Sequence, residues 1–354
     1  MAAEQGASTM AEPGRLLLHV GLPKSGTSHL QSVLRNNVDV LAADGVALVP
    51  PRRAGTFQIT LQVRGLIREQ DDPRAHQALD RFERKLRQCA APTALLTQEA
   101  LAPTTPEQAE ALLARAGGRE VHVVITARDF ARQLSSAWQQ RIKDRHTYSF
   151  PELLTAIRHR AEPALDLWSN QDLPQIVANW CSIVPAERVH LVTSPRPGTQ
   201  GTLLERFCGV LGADAARLDL EGEVRNASIG YAQAELLRRV NEALGDRLPS
   251  VRHGYGRVGK KWLAEEILQR QSGVPARLPE SMRAWCTELS SEWITEIRQS
   301  GCQVVGDLGD LVPPESAFGD LPEPTDAELL EVATLALAEI LQERHEDLTA
   351  ARES

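Results

Sequence analysis

Arg15-Leu16-Leu17-Leu18-His19-Val20 runs directly into Gly21-Leu22-Pro23-Lys24-Ser25-Gly26-Thr27-Ser28, and this loop runs into the helical stretch His29–Asn36. A near-continuous apolar run of this length suits a strand buried on both faces of a parallel sheet. A strand, a glycine-containing loop and a helix together make an anion cradle: loop amides point inward, and the helix start adds unpaired N–H groups and the positive end of its dipole. Gly21 and Gly26 have the five-residue separation of a nucleotide phosphate loop. The lysine of such a loop follows the second glycine directly. Here Thr27 follows it, and the lysine sits earlier, at Lys24. The spacing therefore predicts an oxyanion site and disfavours a standard ATP or GTP loop.

Further apolar runs predict strands at Gly45–Val49, Thr93–Thr97, Val121–Ala127 and Val189–Thr193. Polar stretches with helical spacing, such as Pro106–Ala116 and Ser149–Ala161, lie between them. Strand and helix alternate, which predicts an α/β fold: a P-loop-like parallel sheet flanked by helices. From Ala232 the pattern turns mostly helical. Thr325-Asp326-Ala327-Glu328 reads as a capping box, and Leu329, Val332, Ala336 and Ile340 follow at helical spacing, so a terminal amphipathic helix is expected over Thr325–Asp347. Pro313–Pro324 reads as a loop. The expected organisation is a disordered tail over 1–14 and a single domain over 15–354. Its nucleotide-binding core covers about 15–212 and its helical extension about 225–354.

Composition narrows the classes. The 354 residues carry 39 Lys+Arg against 47 Asp+Glu, a net charge of −8, which argues against a dedicated nucleic-acid binder. Cys89, Cys181, Cys208, Cys286 and Cys302 are sparse and never within four residues of one another. That is neither a zinc ribbon nor a disulfide framework, and a reduced, cytoplasmic chain is expected. No run of about 18 apolar residues occurs, so no membrane span is expected. No metal-ligand cluster is visible in the pattern.

Pro23-Lys24-Ser25-Gly26-Thr27-Ser28 resembles the 5′-phosphosulfate loop of sulfotransferases that use 3′-phosphoadenosine 5′-phosphosulfate. The resemblance implies that Lys24 contacts the bridging oxygen and the sulfuryl group, and that Ser25 to Ser28 hold the 5′-phosphate with hydroxyls and amides. His29 stands where the cytosolic branch keeps a tryptophan against the adenine. Arg128, at the end of the strand Val121–Ala127, and Ser136, eight residues on, are similar to the family's 3′-phosphate pair. Arginine offers a planar fork of donors suited to phosphate, and a serine two helical turns on can face the same side. Read alone, the pair suits a salt-bridging arginine and a helix-surface serine better; the Lys24 loop before it, in the same order and also after a strand, favours the phosphate reading. Arg252-His253-Gly254 loosely resembles the family's Arg-Lys-Gly loop, with His253 replacing the lysine. Arg252 and Gly254 would then lie over the 3′-phosphate, and Arg257, Lys260 and Lys261 would form a basic flap or a solvated basic loop.

The family places its general base just after the strand between the two nucleotide motifs. Glu99 occupies that place, and the alternative for it is a carboxylate interacting with a helix start. The Lys-Thr-His of the cytosolic branch is missing, and the chain looks more like the bacterial, carbohydrate-type branch. The resemblance covers about Arg15 to Gly212. It implies transfer of a sulfuryl group to a hydroxyl of a carbohydrate, glycolipid or small natural product, without a metal. A P-loop kinase and a non-catalytic nucleotide-binding protein of the same fold are the alternatives. Trp138, Trp168 and Trp262 could stack on a sugar or pack in the core. His19 and His122, inside strands, are expected in the core.

Overall fold

The structure, a computed structural model, describes residues 14–196, 198–220, 229–249, 254–320 and 322–353. The tail up to residue 13, Arg252, His253 and Asn226-Ala227-Ser228 lie outside the described residues.

Six parallel strands form one sheet: β1 (Arg15–His19), β2 (Val46–Leu48), β3 (Thr93–Thr97), β4 (Glu120–Ala127), β5 (Val189–Thr193) and β6 (Gln303–Val305). The spatial order is β2-β3-β1-β4-β5-β6. Thirteen α-helices accompany them among the described residues. The first five are α1 (Thr27–Asn36), α2 (Val38–Ala43), α3 (Arg53–Val63), α4 (Ala78–Gln88) and α5 (Pro106–Leu113). Next come α6 (Phe130–Lys143), α7 (Phe150–Arg158), α8 (Leu165–Gln171), α9 (Leu173–Cys181) and α10 (Leu203–Leu211). The last three are α11 (Tyr231–Leu244), α12 (Arg283–Gln299) and α13 (Asp326–Glu353).

The two-residue period of the strands divides the core. Leu16, Leu18, Ala94, Leu96, Val123 and Ile125 face one layer of helices, with Phe82, Leu112, Phe130 and Leu134. Leu17, Leu95, Val124 and Val192 face the other, with Leu30 and Leu34 of α1 and Phe207 of α10. β1 is central and pairs with β3 and β4 at once; Leu18 stands beside Leu96 and Val123. After β1 the chain builds β2 and β3 on one side, then crosses to build β4, β5 and β6 on the other. A crevice at the carboxyl ends of the strands follows from such a reversal. The loops after β1, β3 and β4 all open onto it.

Two expectations change. The C-terminal part is not only helical, because β6 adds a strand to the sheet beside β5. The sheet therefore reaches beyond the expected core of 15–212. β6 has three residues, begins with a glutamine and is largely exposed, so no apolar run marks it. His19 is buried, but His122 is only half-buried; it contacts Glu120 at 2.8 Å and stacks on His190 with centroids 5.3 Å apart. Trp138 and Trp168 are packing residues: Trp138 meets Phe150 and Tyr231, and Trp168 stacks on Phe130. Trp262 is half-buried and donates Nε1–H to Glu343 at 2.7 Å. The capping box forms as expected, with the Glu328 amide on Thr325 Oγ1 at 3.3 Å and the Thr325 amide on Glu328 Oε2 at 2.7 Å. The helix runs on to Glu353. No helix of the described residues is long and apolar enough to cross a membrane.

Candidate functional site

The loop between β1 and α1 is pinned before it turns. The amides of Val20 and Leu22 donate to Val124 and Thr126 of the neighbouring β4 at 3.0 and 2.8 Å. Lys24 then adopts a left-handed backbone, φ 68°, and Gly26 follows at φ 102°. A side chain at positive φ other than glycine costs roughly 1–2 kcal/mol, and such residues cluster at binding sites. The carbonyl of Pro23, just before it, accepts from two buried amides: Gln133 Nε2 of α6 at 3.4 Å and Gln171 Nε2 of α8 at 3.1 Å. Neighbouring helices thus hold the strained turn from outside.

Gly21 shows how closely the loop is packed. A Cβ there would lie 1.9 Å from Thr126 Oγ1 and 2.8 Å from His19 Nε2. His19 is itself held between Thr97 at 2.8 Å and Thr126 at 3.2 Å. Burial brings its pKa down to about 3, with the Arg35 charge adding to the effect, so the ring is neutral at physiological pH. Gly21→Ala is expected to destabilise the fold by about 1–3 kcal/mol through overpacking. An unchanged melting temperature would refute the crowding.

Each expected loop residue can now be placed. Ser25 turns inward: its amide and its hydroxyl both donate to Leu22 O, at 3.2 and 2.7 Å, and its Oγ lies 2.9 Å from Thr126 Oγ1. In this arrangement its hydroxyl shapes the loop from within. Gly26 is the N-cap of α1 and Thr27 its first residue, with no side-chain cap. The first-turn amides of Thr27 and Ser28 are the unpaired donors of a helix start. His29 lies half-buried on that turn.

The Lys24 ammonium donates to Gln140 Oε1 of α6 at 3.0 Å. Burial, with the ammonium groups of Lys143 and Lys260, lowers its pKa to about 8, while Asp144 and Glu99 act in the opposite direction. Glu99 opens a short 3-10 turn after β3, but the side chain capping that turn is Gln98, on the Ala100 amide at 3.4 Å. Glu99 instead reaches across to α1, where its Oε2 accepts from Gln31 Nε2 at 2.5 Å. Arg35 donates to both oxygens of Gln31, at 3.1 and 3.3 Å. Glu99 and Lys24 are thus brought within electrostatic reach across the crevice.

At the next strand end, Asp129 is fully buried and caps α6 by accepting from the Arg132 amide at 3.0 Å. Its carboxylate pairs with the Arg132 guanidinium and lies 4.0 Å from Arg128 Nε. Two guanidinium groups therefore share one carboxylate. Buried Arg128 Nε and Arg132 Nη2 find no acceptor among the described residues. Burial, and then the Arg132 charge, lowers the pKa of Arg128. Unmet buried donors beside excess positive charge are what an anion would satisfy. Ser136 is half-buried on the second turn of α6, and no hydrogen bond joins it to Arg128. Gly254 packs against Pro249, which a Cβ would approach to 2.4 Å.

Sequence reasoning alone misses Gln31, Gln133, Gln140, Gln171 and Arg132. One signal is available for two of them: Gln133 and Gln140 lie seven residues apart on α6, so they share a face with Ser136 and Ala137 between them. Among the described residues no group of three His, Cys, Asp or Glu gathers as a metal site. No family model matches the chain, and no curated protein and no solved structure matches it.

Proposed function

We propose that the chain is a sulfotransferase of P-loop-like fold, moving a sulfuryl group from 3′-phosphoadenosine 5′-phosphosulfate to a hydroxyl of a carbohydrate, glycolipid or small natural product. The observation that carries this reading is the pairing of two cationic sites at the ends of adjacent strands. Lys24 sits in a left-handed turn after β1, and Arg128 and Arg132 present unmet donors after β4. The nucleotide asks for two such sites, one for the phosphosulfate end and one for the 3′-phosphate. The donor set fits it: unpaired α1 amides and an ammonium at one site, planar guanidinium forks at the other.

When bound, the nucleotide supplies an activated sulfuryl group on a good leaving group. Glu99 would take the proton of the acceptor hydroxyl as its oxygen bonds to sulfur. Lys24 would stabilise the bridging oxygen as its bond to sulfur breaks and adenosine 3′,5′-bisphosphate leaves. Pro23, fixed by Gln133 and Gln171, would keep the Lys24 ammonium aimed at that oxygen. Ser136, on the helix after Arg128, would add a hydroxyl to the 3′-phosphate.

Binding separates this reading from a kinase. Adenosine 3′,5′-bisphosphate should bind more tightly than ATP, and transfer of a sulfur label to an acceptor panel separates it from a binding protein without chemistry. Arg128→Ala should weaken adenosine 3′,5′-bisphosphate and leave adenosine 5′-phosphate nearly unchanged. A charge-assisted hydrogen bond is worth roughly 1.5–3 kcal/mol, so the affinity ratio should shift by about tenfold or more. Calorimetry on both ligands measures it, and an equal loss for the two would make Arg128 structural.

A further inference from the structure

A continuous run of polar contacts ties the C-terminal part of the chain to the Lys24 loop. Lys24 Nζ donates to Gln140 Oε1 at 3.0 Å, Gln140 Nε2 donates to Asp144 Oδ2 at 3.2 Å, and Lys260 Nζ donates to Asp144 Oδ1 at 2.7 Å. Gln140 lies in the last turn of α6 and Asp144 is its C-cap, one turn on, so the two side chains share a face.

Lys260 belongs to a π-helix over Gly256–Ile267. Such helices are rare and occur frequently at functional sites. This one is firmly seated. Gly259 lies on the Tyr255 ring, where a Cβ would come within 2.3 Å of Cε2. The Tyr255 hydroxyl donates to buried Asn241 of α11 at 2.5 Å, and the Arg145 guanidinium covers the ring at 5.7 Å. The backbone is thereby set so that Lys260 points toward α6.

Lys143 lies in the same turn of α6. Lys24, Lys143 and Lys260 are close enough to repel one another, with Asp144, Glu99 and Glu265 as the carboxylates that face them. A half-exposed pair such as Lys260–Asp144 contributes little to stability. Gathering ammonium groups at one mouth is unfavourable for the protein alone and favourable for an anion that enters it.

We propose that Lys260 is a second cationic binding residue for the oxyanion held by the Lys24 loop, that Asp144 positions it, and that the ligand group is a diphosphate-like or phosphosulfate-like end carrying more than one negative charge. The proposal rests on the reading of the loop as an oxyanion site. Its test uses inorganic pyrophosphate as probe, with calorimetry on the full chain. Lys260→Ala should weaken pyrophosphate by roughly tenfold, the worth of one charge-assisted contact. Lys260→Arg should restore most of the affinity, and Lys261→Ala, exposed on the same π-helix, should leave it unchanged. Lys260→Gln removes the charge but keeps a donor for Asp144, and serves if the alanine variant does not fold.

Equal affinity in wild type, Lys260→Ala and Lys260→Gln would overturn the inference, as would absence of pyrophosphate binding to the wild type. A parallel titration with adenosine 3′,5′-bisphosphate keeps the two readings apart. If that nucleotide fails to bind while pyrophosphate binding depends on Lys260, the sulfotransferase reading falls and the second cation stands. If the nucleotide binds and Lys260 proves irrelevant to either ligand, the reverse holds.

Discussion

Glu99→Gln is expected to lower turnover by about 10²–10⁴, the usual worth of a general base, while adenosine 3′,5′-bisphosphate affinity survives. The substitution keeps the size of the side chain and an oxygen that can still accept from Gln31 Nε2, the contact that holds Glu99 at 2.5 Å. It removes the ability to take a proton. The alternative role is structural, since Glu99 ties the turn after β3 to α1 through Gln31 and Arg35. The two roles separate cleanly. A structural residue would give a lower melting temperature and a nearly normal rate, whereas a base gives a near-normal melting temperature and a collapsed rate. Turnover measured on the folded variant, beside its melting curve, decides between them. A normal rate would move the search for the base elsewhere in the crevice.

Lys24→Ala is expected to lower turnover by about 10²–10³, as removal of a single transition-state donor does elsewhere. Nucleotide affinity should fall less, because α1 amides and the Arg128 site remain. The same lysine predicts a pH dependence. Its pKa near 8 means that the ammonium is charged below that pH and is lost as pH rises through it. Pyrophosphate or nucleotide binding should therefore weaken through an alkaline limb centred near 8 in the free protein. A bound anion favours the charged form and moves the limb upward. Stability should run the other way. The unfolded chain keeps this proton up to about 10.5, so between about 8 and 10.5 it binds one more proton than the folded chain, and stability rises with pH across that window. Lys24→Ala should lack both effects. Turnover or a binding profile unchanged by the substitution would remove Lys24 from the site.

Much of the fold was legible because burial writes itself locally. Arg15–His19, Thr93–Thr97 and Val189–Thr193 are apolar runs bounded by turn residues, and all became strands of a two-sided sheet. The capping box at Thr325 involves residues three apart, so its chemistry is contained in four letters. The Gly21–Ser28 loop was legible for the same reason: strand, turn and helix follow one another without a gap, and the lysine stands in the turn.

What the sequence by itself determined, then, is the α/β alternation, the loop that follows β1 and the residues offered at the ends of β3 and β4. Only the tertiary structure decided their neighbours. Lys24 meets Gln140, and Asp144 meets Lys260, each across a separation of 116 residues, a distance at which no periodicity constrains a pair. Ser25 was indistinguishable in sequence from its loop neighbours, yet packing against Thr126 turned its hydroxyl inward, because a buried polar group must find a partner. β6 offers only Val304 and Val305 as apolar residues, too short a run to mark a strand; three largely exposed residues become one because β5 offers them an edge to pair with. Local pattern sets which groups are buried and which turn, whereas the pairing of charges and hydrogen bonds depends on where distant segments meet, and that is a property of the packed chain alone.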